Sequence, residues 1–233
     1  ALLPESVRRH VFERFLNVIP EGFWYRSMSH KLKWMHQLSF YEGKDRYCKS
    51  LGYFYLSDGY KKRLYTDKFQ KEVGLFDPEK SVKESFDCAN ATELIDKMLY
   101  SDSKVRMSDH PLMILDRMTM AHSLEARAPF LDHRVMETAA RLPVSWKVRG
   151  TQTKSALREL YKELIPEELQ GRVKSGFSIP MSEWLRGPLR AFAEEHLLSP
   201  EARVHVYVKG DKITDLIEEN LSRRSNYGKR ILA

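Results

Sequence analysis

The sequence predicts a mainly α-helical protein, and three observations support this. Apolar residues recur at intervals of three and four along most of the chain. Prolines and glycines fall between those stripes and punctuate them. The VHVYV run at 204–208 is the best strand candidate, and it is short.

Taken in order, Pro4 opens a first helix on which Val7, Val11, Phe15 and Ile19 share a face, ended by Pro20 and Gly22. A second helix sets Trp24, Met28, Leu32, Met35 and Leu38 on one side. Basic residues among aromatics suit nucleic-acid stacking, but a Met and aromatic stripe at helical spacing reads first as core. Short helices follow to Asn90, broken at Ser57-Asp58-Gly59, at Gly74 and at Asp77-Pro78. Helices are expected at 91–100 and 110–122, the second capped by Ser108 or Asp109 with Pro111 in its first turn. Val135, Met136, Ala139, Ala140 and Leu142 mark another, capped by Asp132 and ended by Pro143. The next spans about 153–164 with Ala156, Leu157, Leu160, Tyr161 and Leu164 as its stripe, and Pro166 opens a further turn. Ser182 and Ser199 are N-cap candidates.

Composition narrows the function. At 233 residues, 42% hydrophobic and 30% charged, the chain suits one or two domains with a core. No apolar run approaches the roughly 20 residues of a membrane span, and the N-terminal residues do not read as a secretory signal. Cys48 and Cys88 stand far apart, which favours two reduced thiols over a disulfide framework or zinc site and places the protein in the cytoplasm. The net charge of +7 reads first as solvated surface. A polyphosphate-binding surface ranks second and nucleic acid third, because no nucleic-acid-binding signature accompanies the charge.

Three segments carry chemistry. DRMTMAHSLEARAPFLDHR at 116–134 threads Asp116, Arg117, Glu125, Arg127, Asp132 and Arg134 through apolar residues. That pattern implies a buried ion-pair network or a polar site let into a core. KSALR at 154–158 spaces Lys154 and Arg158 four apart, so on a helix they share a face. Like charges so placed repel, and the pair either spreads into solvent or shares an anion. GRVKSGFSIP at 171–180 sets Arg172 and Lys174 on a loop whose glycines let backbone approach an anion. His122 and His133 have no partner at ligand spacing, so no metal site is expected in this chain.

Together these segments resemble the C-terminal half of the synthetase domain of glutamine-dependent asparagine synthetases, where DRxSMAHSLExRxPFLDHR, KxxLR and RxKxGFxxP follow in that order. The resemblance runs from about Met113 to Leu189 and more weakly to the end. It implies that residues 1–233 are the helical C-terminal portion of an α/β ATP-pyrophosphatase domain of PP-loop type, with the nucleotide-binding sheet largely missing. The family's SGGxDS and GxGxDExFxGY strings do not occur here, and its last helix is expected to continue beyond SNYGKRILA. A fragment inactive by itself is the expectation.

The resemblance also implies a reaction. The aspartate side-chain carboxylate attacks the α-phosphorus of ATP and pyrophosphate leaves. Ammonia from a glutaminase domain then displaces AMP to give asparagine. By the same resemblance, Lys174 steadies charge on the phosphates and Lys154 contacts pyrophosphate, with Arg158 and Arg172 beside it. Glu125 orients a catalytic group or pairs with Arg127 or Arg117. Asp116 and Arg117 wall the substrate pocket or pair with each other's neighbours. Magnesium is expected on carboxylates outside this chain. A homo-oligomer is compatible with all of this. Two alternatives are kept: a non-catalytic basic helical module binding protein or nucleic acid, and a related amide-forming ligase such as a β-lactam synthetase-like enzyme. Lys162 is taken as solvated surface.

Overall fold

The computed structural model describes residue 10 and residues 13–18, 28–51, 58–74, 76–170, 179–222 and 227–232. Among these residues the protein is mainly helical, as expected, and its one sheet has two strands. The chain forms two compact units, Ala1–Pro78 with Ser178–Ala233, and Glu79–Phe177.

In the first unit the Gly210–Leu221 helix buries Ile213, Leu216, Ile217 and Asn220, a single stripe at helical spacing. It packs against the Met181–Arg186, Arg190–Leu198 and Gly228–Leu232 helices. Met181, Leu185 and Ala193 form the core there, with Leu189, Leu197 and Ile231 against them. Asn220 is 1% exposed, which would be costly for an unpartnered amide. Its backbone carbonyl accepts from Arg186 Nε at 2.6 Å, and its side-chain oxygen accepts from the Tyr227 amide at 3.3 Å. One residue on, the Gly228 amide donates to the buried Ser182 hydroxyl at 3.0 Å. Ser182 therefore sits inside its helix as an acceptor for the last helix, and Pro180 takes the N-cap position.

Other expectations for this unit need correction. VHVYV is mostly a 3-10 turn, Arg203–Val206, with one bridge between Val208 and Tyr65. Only Leu64, Thr66 and Lys209 offer backbone partners there, too few for a ladder. Ser199 ends the Arg190–Leu198 helix and accepts from the Glu201 amide in the turn that follows. Gly59 lies within the Asp58–Leu64 helix. In the Glu13–Val18 helix the buried residue is Leu16, 3% exposed, while Phe15 faces solvent. Met28, Leu32 and Met35 on the Met28–Leu38 helix are also exposed, so this stripe is not core. Val7, Val11, Ile19 and Trp24 lie outside the described residues.

The second unit begins with the Lys80–Asp87 helix, which packs on Leu94–Ser101 through buried Phe86 and Ser101. The expected break near Ser108 is absent. Helix continues through two π-helical turns, Asp102–Arg106 and Ser108–Leu112, into Met113–Met120. Pro111 has no amide to give and its ring crowds the preceding turn. A wider π turn relaxes both demands, so the chain bends its hydrogen bonding and does not stop. Ser108 donates back to the Lys104 carbonyl at 2.8 Å and caps nothing. Asp132 does cap the His133–Arg141 helix, accepting from the Arg134 amide at 2.9 Å. Lys147 bonds Asp96 at 2.7 Å and the Ala140 carbonyl at 2.9 Å, tying the short Val144–Lys147 helix to Leu94–Ser101.

Val148–Arg149 and Gln152–Thr153 then pair antiparallel around Gly150, which has φ 58. A glycine at the first position of a two-residue hairpin loop supplies the positive φ that other residues resist. The helix that follows covers only Ser155–Leu160, and Leu160, Tyr161 and Leu164 are exposed. Glu167–Gln170 is the turn opened by Pro166. No helix among the described residues is long and apolar enough to cross a membrane. Cys48 and Cys88 are both free, the first buried and the second exposed.

A Cβ on Gly228 would meet the amide nitrogen and hydroxyl of Ser182 at 2.4 Å, whereas one on Gly59 meets nothing within 4 Å. Gly228→Ala should therefore cost about 1–3 kcal/mol in urea unfolding. Gly59→Ala, in an open helical position, should gain about 0.5–1 kcal/mol. A Gly228→Ala protein as stable as the parent would refute the docking of the last helix.

Candidate functional site

The candidate residues of the second unit are built on two turns and a hairpin. Met113–Met120 carries Asp116 and Arg117, and it ends in a Schellman turn. The Ser123 amide bonds the Met120 carbonyl at 2.9 Å and the Leu124 amide reaches the Thr119 carbonyl at 3.0 Å. Ser123 thus holds the left-handed position, φ 57, that glycine usually fills. Residues 124–128 then run without regular structure to the Pro129–Leu131 turn, and Ala128 is extended before Pro129 as a pre-proline residue should be.

The charges of this segment are not buried. Glu125 pairs with Arg127 in the open, and Arg134 pairs with Asp132 at 2.9 Å. Hydrogen bonding by the Arg134 guanidinium holds the Asp132 carboxyl below its ordinary range, and Asp132 in turn raises Arg134. The charged ends of Asp116 and Arg117 make no hydrogen bond or ion pair among the described residues. The alternatives of a buried ion-pair network and a polar pocket in a core are both set aside for this unit as it stands. What surrounds the charges is exposed apolar surface: Ile114, Leu115, Met118 (65% exposed), Leu124 and Phe130 (60% exposed). Met113, Ile114 and Leu115 are consecutive and all exposed, so the helix is apolar on several sides, a pattern that belongs to a surrounded helix.

Lys154 does not share a helical face with Arg158. It is the N-cap of Ser155–Leu160, with φ 60 and ψ 37. A left-handed conformation costs a side-chain-bearing residue roughly 1–2 kcal/mol. Arg158 is a tether: Nε donates to the Thr153 carbonyl at 3.2 Å and Nη1 to the Gln170 carbonyl at 3.1 Å. One guanidinium so joins the hairpin to the Glu167–Gln170 turn, which leads directly into the segment holding Arg172 and Lys174. Those two residues lie outside the described residues. The structure therefore brings Lys154 and Arg158 to one turn. Among the described residues no hydrogen bond or ion pair links them to Asp116, Arg117 or Glu125.

Sequence reasoning missed the hairpin and the two strained residues. The hairpin had a signal in VRGTQT, a glycine between two short runs. Strain at Ser123 and Lys154 had none, since neither residue type announces a positive φ.

Against this geometry the comparisons are informative. The family model described as Asparagine synthase matches residues 3–233. The chain belongs to the asparagine synthase family. Its members are ATP-using amide ligases, which favours the ligase reading over a non-catalytic basic module. Among similar proteins is asparagine synthetase [glutamine-hydrolyzing] 1 of Bacillus subtilis, 31% identical over 137 residues, 59% of this chain and 21% of that protein. A putative asparagine synthetase of Mycobacterium bovis is 36% identical over 121 residues, 52% of this chain and 18% of that protein. The human asparagine synthetase is 42% identical over 66 residues, 27% of this chain and 12% of that protein. The chain thus spans about a fifth of the length of the first two relatives. No solved structure matches it.

Two outcomes are expected. Arg158→Ala should speed amide hydrogen exchange at residues 152–153 and 167–170 together, and Arg158→Lys should restore one side only, because an ammonium lacks the planar fork. Equal protection in Arg158→Ala would show that the tether carries nothing. Asp132→Ala should lower the thermal midpoint at neutral pH. The depressed carboxyl stabilises above its unfolded value and loses that effect as pH falls through the folded one. The gap to the parent should close in acid, and a gap that persists there would refute the charged cap.

Proposed function

We propose that this chain supplies the helical part of the centre at which an asparagine synthetase adenylates aspartate and transfers ammonia to it. One observation carries the reading beyond family membership. Among the described residues, the two non-glycine residues with positive φ are Ser123 and Lys154, and each falls in a motif segment. Backbone strain persists where surrounding structure over-determines it, and it concentrates at functional sites.

The chemistry asks for fixed cations where phosphate charge grows as the bond to the α-phosphorus breaks. The exposed Lys154 ammonium, held by the hairpin and by the Arg158 amide bonded to its carbonyl at 3.0 Å, suits that task. Bound ATP would supply the leaving pyrophosphate, with Lys154, Arg158, Arg172 and Lys174 as the residues of this chain to hold its phosphates. Glu125, on the exposed loop between two apolar helices, is assigned to orienting the incoming amine or a catalytic group, and its pairing with Arg127 sets its position. Asp116 and Arg117 are assigned to the wall of the aspartate pocket. Magnesium is assigned no ligand in this chain. We place the apolar surface of Met113–Met120 and Phe130 against the nucleotide-binding part of a PP-loop domain, and the protein in the cytoplasm with a glutaminase as ammonia source.

Aspartate-dependent release of pyrophosphate by the complete protein, with ATP, magnesium and ammonia or glutamine, tests the reaction, and its absence would refute it. Within that assay Lys154→Gly separates strain from charge. Glycine accepts the left-handed turn, so the fold should hold, while turnover should fall about 10²–10³-fold. Lys174→Ala should lower turnover by the same order with apparent ATP affinity much less changed, and Lys174→Arg should rescue in part. Turnover within a few-fold of the parent in either loss variant removes that lysine from the centre.

A further inference from the structure

A cleft of about 260 Å³ opens beside the Arg158 tether, lined by Arg149, Gln152, Ser155, Arg158, Glu159, Lys162, Ile165 and Gln170. Its charge is lopsided, three cations against the single carboxylate of Glu159. Elsewhere in this unit Arg106, Arg127, Arg134, Arg141 and Lys147 each have a carboxylate within 4.0 Å. Among the described residues Arg149, Arg158 and Lys162 have none, although Glu159 lines the same space.

Two of the three cations are also held in place. Arg149 Nε donates to the Ser145 carbonyl at 3.2 Å and its guanidinium lies 5.5 Å over the Trp146 ring. Arg158 spends Nε and Nη1 on carbonyls and keeps Nη2. The floor is set by Gln170, whose amide nitrogen donates to the Lys162 and Ile165 carbonyls at 2.8 and 2.9 Å. Fixed guanidinium donors with spare hydrogens are suited to phosphate oxygens. The volume falls below the roughly 300–1,000 Å³ of pockets that enclose drug-sized ligands, so it suits a small polyanion and not a nucleoside triphosphate.

We propose that this cleft is a binding site for inorganic pyrophosphate, with Arg149 and Lys162 as residues that no motif marks. It rests on the adenylating reaction proposed above, which releases pyrophosphate within the same unit, and it revises Lys162 from inert surface to ligand. The cleft takes the diphosphate in preference to a single phosphate because three cations spread along it match a longer anion.

Pyrophosphate is titrated into the purified full chain by calorimetry and by amide NMR, with inorganic phosphate as a second arm and sodium chloride at matched ionic strength as the background. Saturable pyrophosphate binding is expected, with shifts at residues 149, 152, 158, 162 and 170. Arg149→Ala and Lys162→Ala should each weaken it about 10-fold. Glu159→Gln should tighten it about 2–5-fold, since it removes the one repelling charge. Both Lys162 and Glu159 are exposed, and unchanged spectra away from the cleft confirm the fold of each variant. Absence of binding, indifference to all three variants, or phosphate bound as tightly as pyrophosphate overturns the proposal. Binding is read here without turnover, so its failure leaves the Lys154 assignment standing, and a failure of the turnover test leaves the binding result intact.

Discussion

The Arg158 guanidinium bridges two carbonyls that are seventeen residues apart, Thr153 and Gln170, and much of the second unit follows from that link. The hairpin Val148–Thr153 is too short to stand by itself, since an isolated pair of strands is marginal in water even at greater length. With Thr153 held, the chain must turn sharply into Ser155–Leu160, and Lys154 takes the left-handed conformation that the turn requires. Ser155, 5% exposed, then donates to the Gln152 carbonyl at 3.2 Å and closes the corner. The strain at Lys154 is the geometric consequence of holding both ends of the hairpin.

The two units are stabilised by different means. In the first, a stripe on Gly210–Leu221 and the cluster around Met181 and Leu185 bury apolar surface, and Asn220, Ser182 and Gly228 meet through hydrogen bonds with no room for a methyl group. In the second, burial is confined to Phe86, Ala89, Ser101 and Ser155 among the described residues. Polar tethers carry the rest: Lys147 to Asp96, Asp132 to the Arg134 amide, and Arg158 to its two carbonyls. Such bonds fix geometry, but each contributes only about 0.5–1.5 kcal/mol. A unit of this kind gains its remaining stability by covering Met118 and Phe130, which is why we assign the motif surface to a packing face.

Helix content, the Asp132 cap and the Pro166 turn were legible in the sequence because local rules decide them. The misplacements have physical causes. Pro111 reads as a helix start only if the alternative is an α turn; a π turn tolerates it inside a run. Met28, Leu32 and Met35 have core spacing, yet spacing tells which residues share a face and not whether anything lies against it. The 116–134 motif named the right segment but suggested buried charge, because composition cannot show that apolar neighbours point outward. Glu125 and Arg127 meet as expected. Lys154 and Arg158 were placed by helical spacing, and the spacing failed because the helix begins one residue later, at Ser155.

That one-residue difference changes the electrostatics of the site. On a common helical face, two cations four residues apart would repel and gain by sharing one anion. With Lys154 turned out of the helix, Arg158 is free to serve the backbone, and its charge adds to those of Arg149 and Lys162 on the cleft side. Positive charge is thereby divided between a strained ammonium at the turn and a fixed guanidinium pair beside it. Growth of charge on a phosphate oxygen is met best by a group placed beforehand, because no reorganisation is then needed as the bond breaks. A leaving anion is met best by cations already lacking carboxylate partners, because no ion pair must be broken to receive it. The same turn provides both conditions, and it does so through the single tether at Arg158.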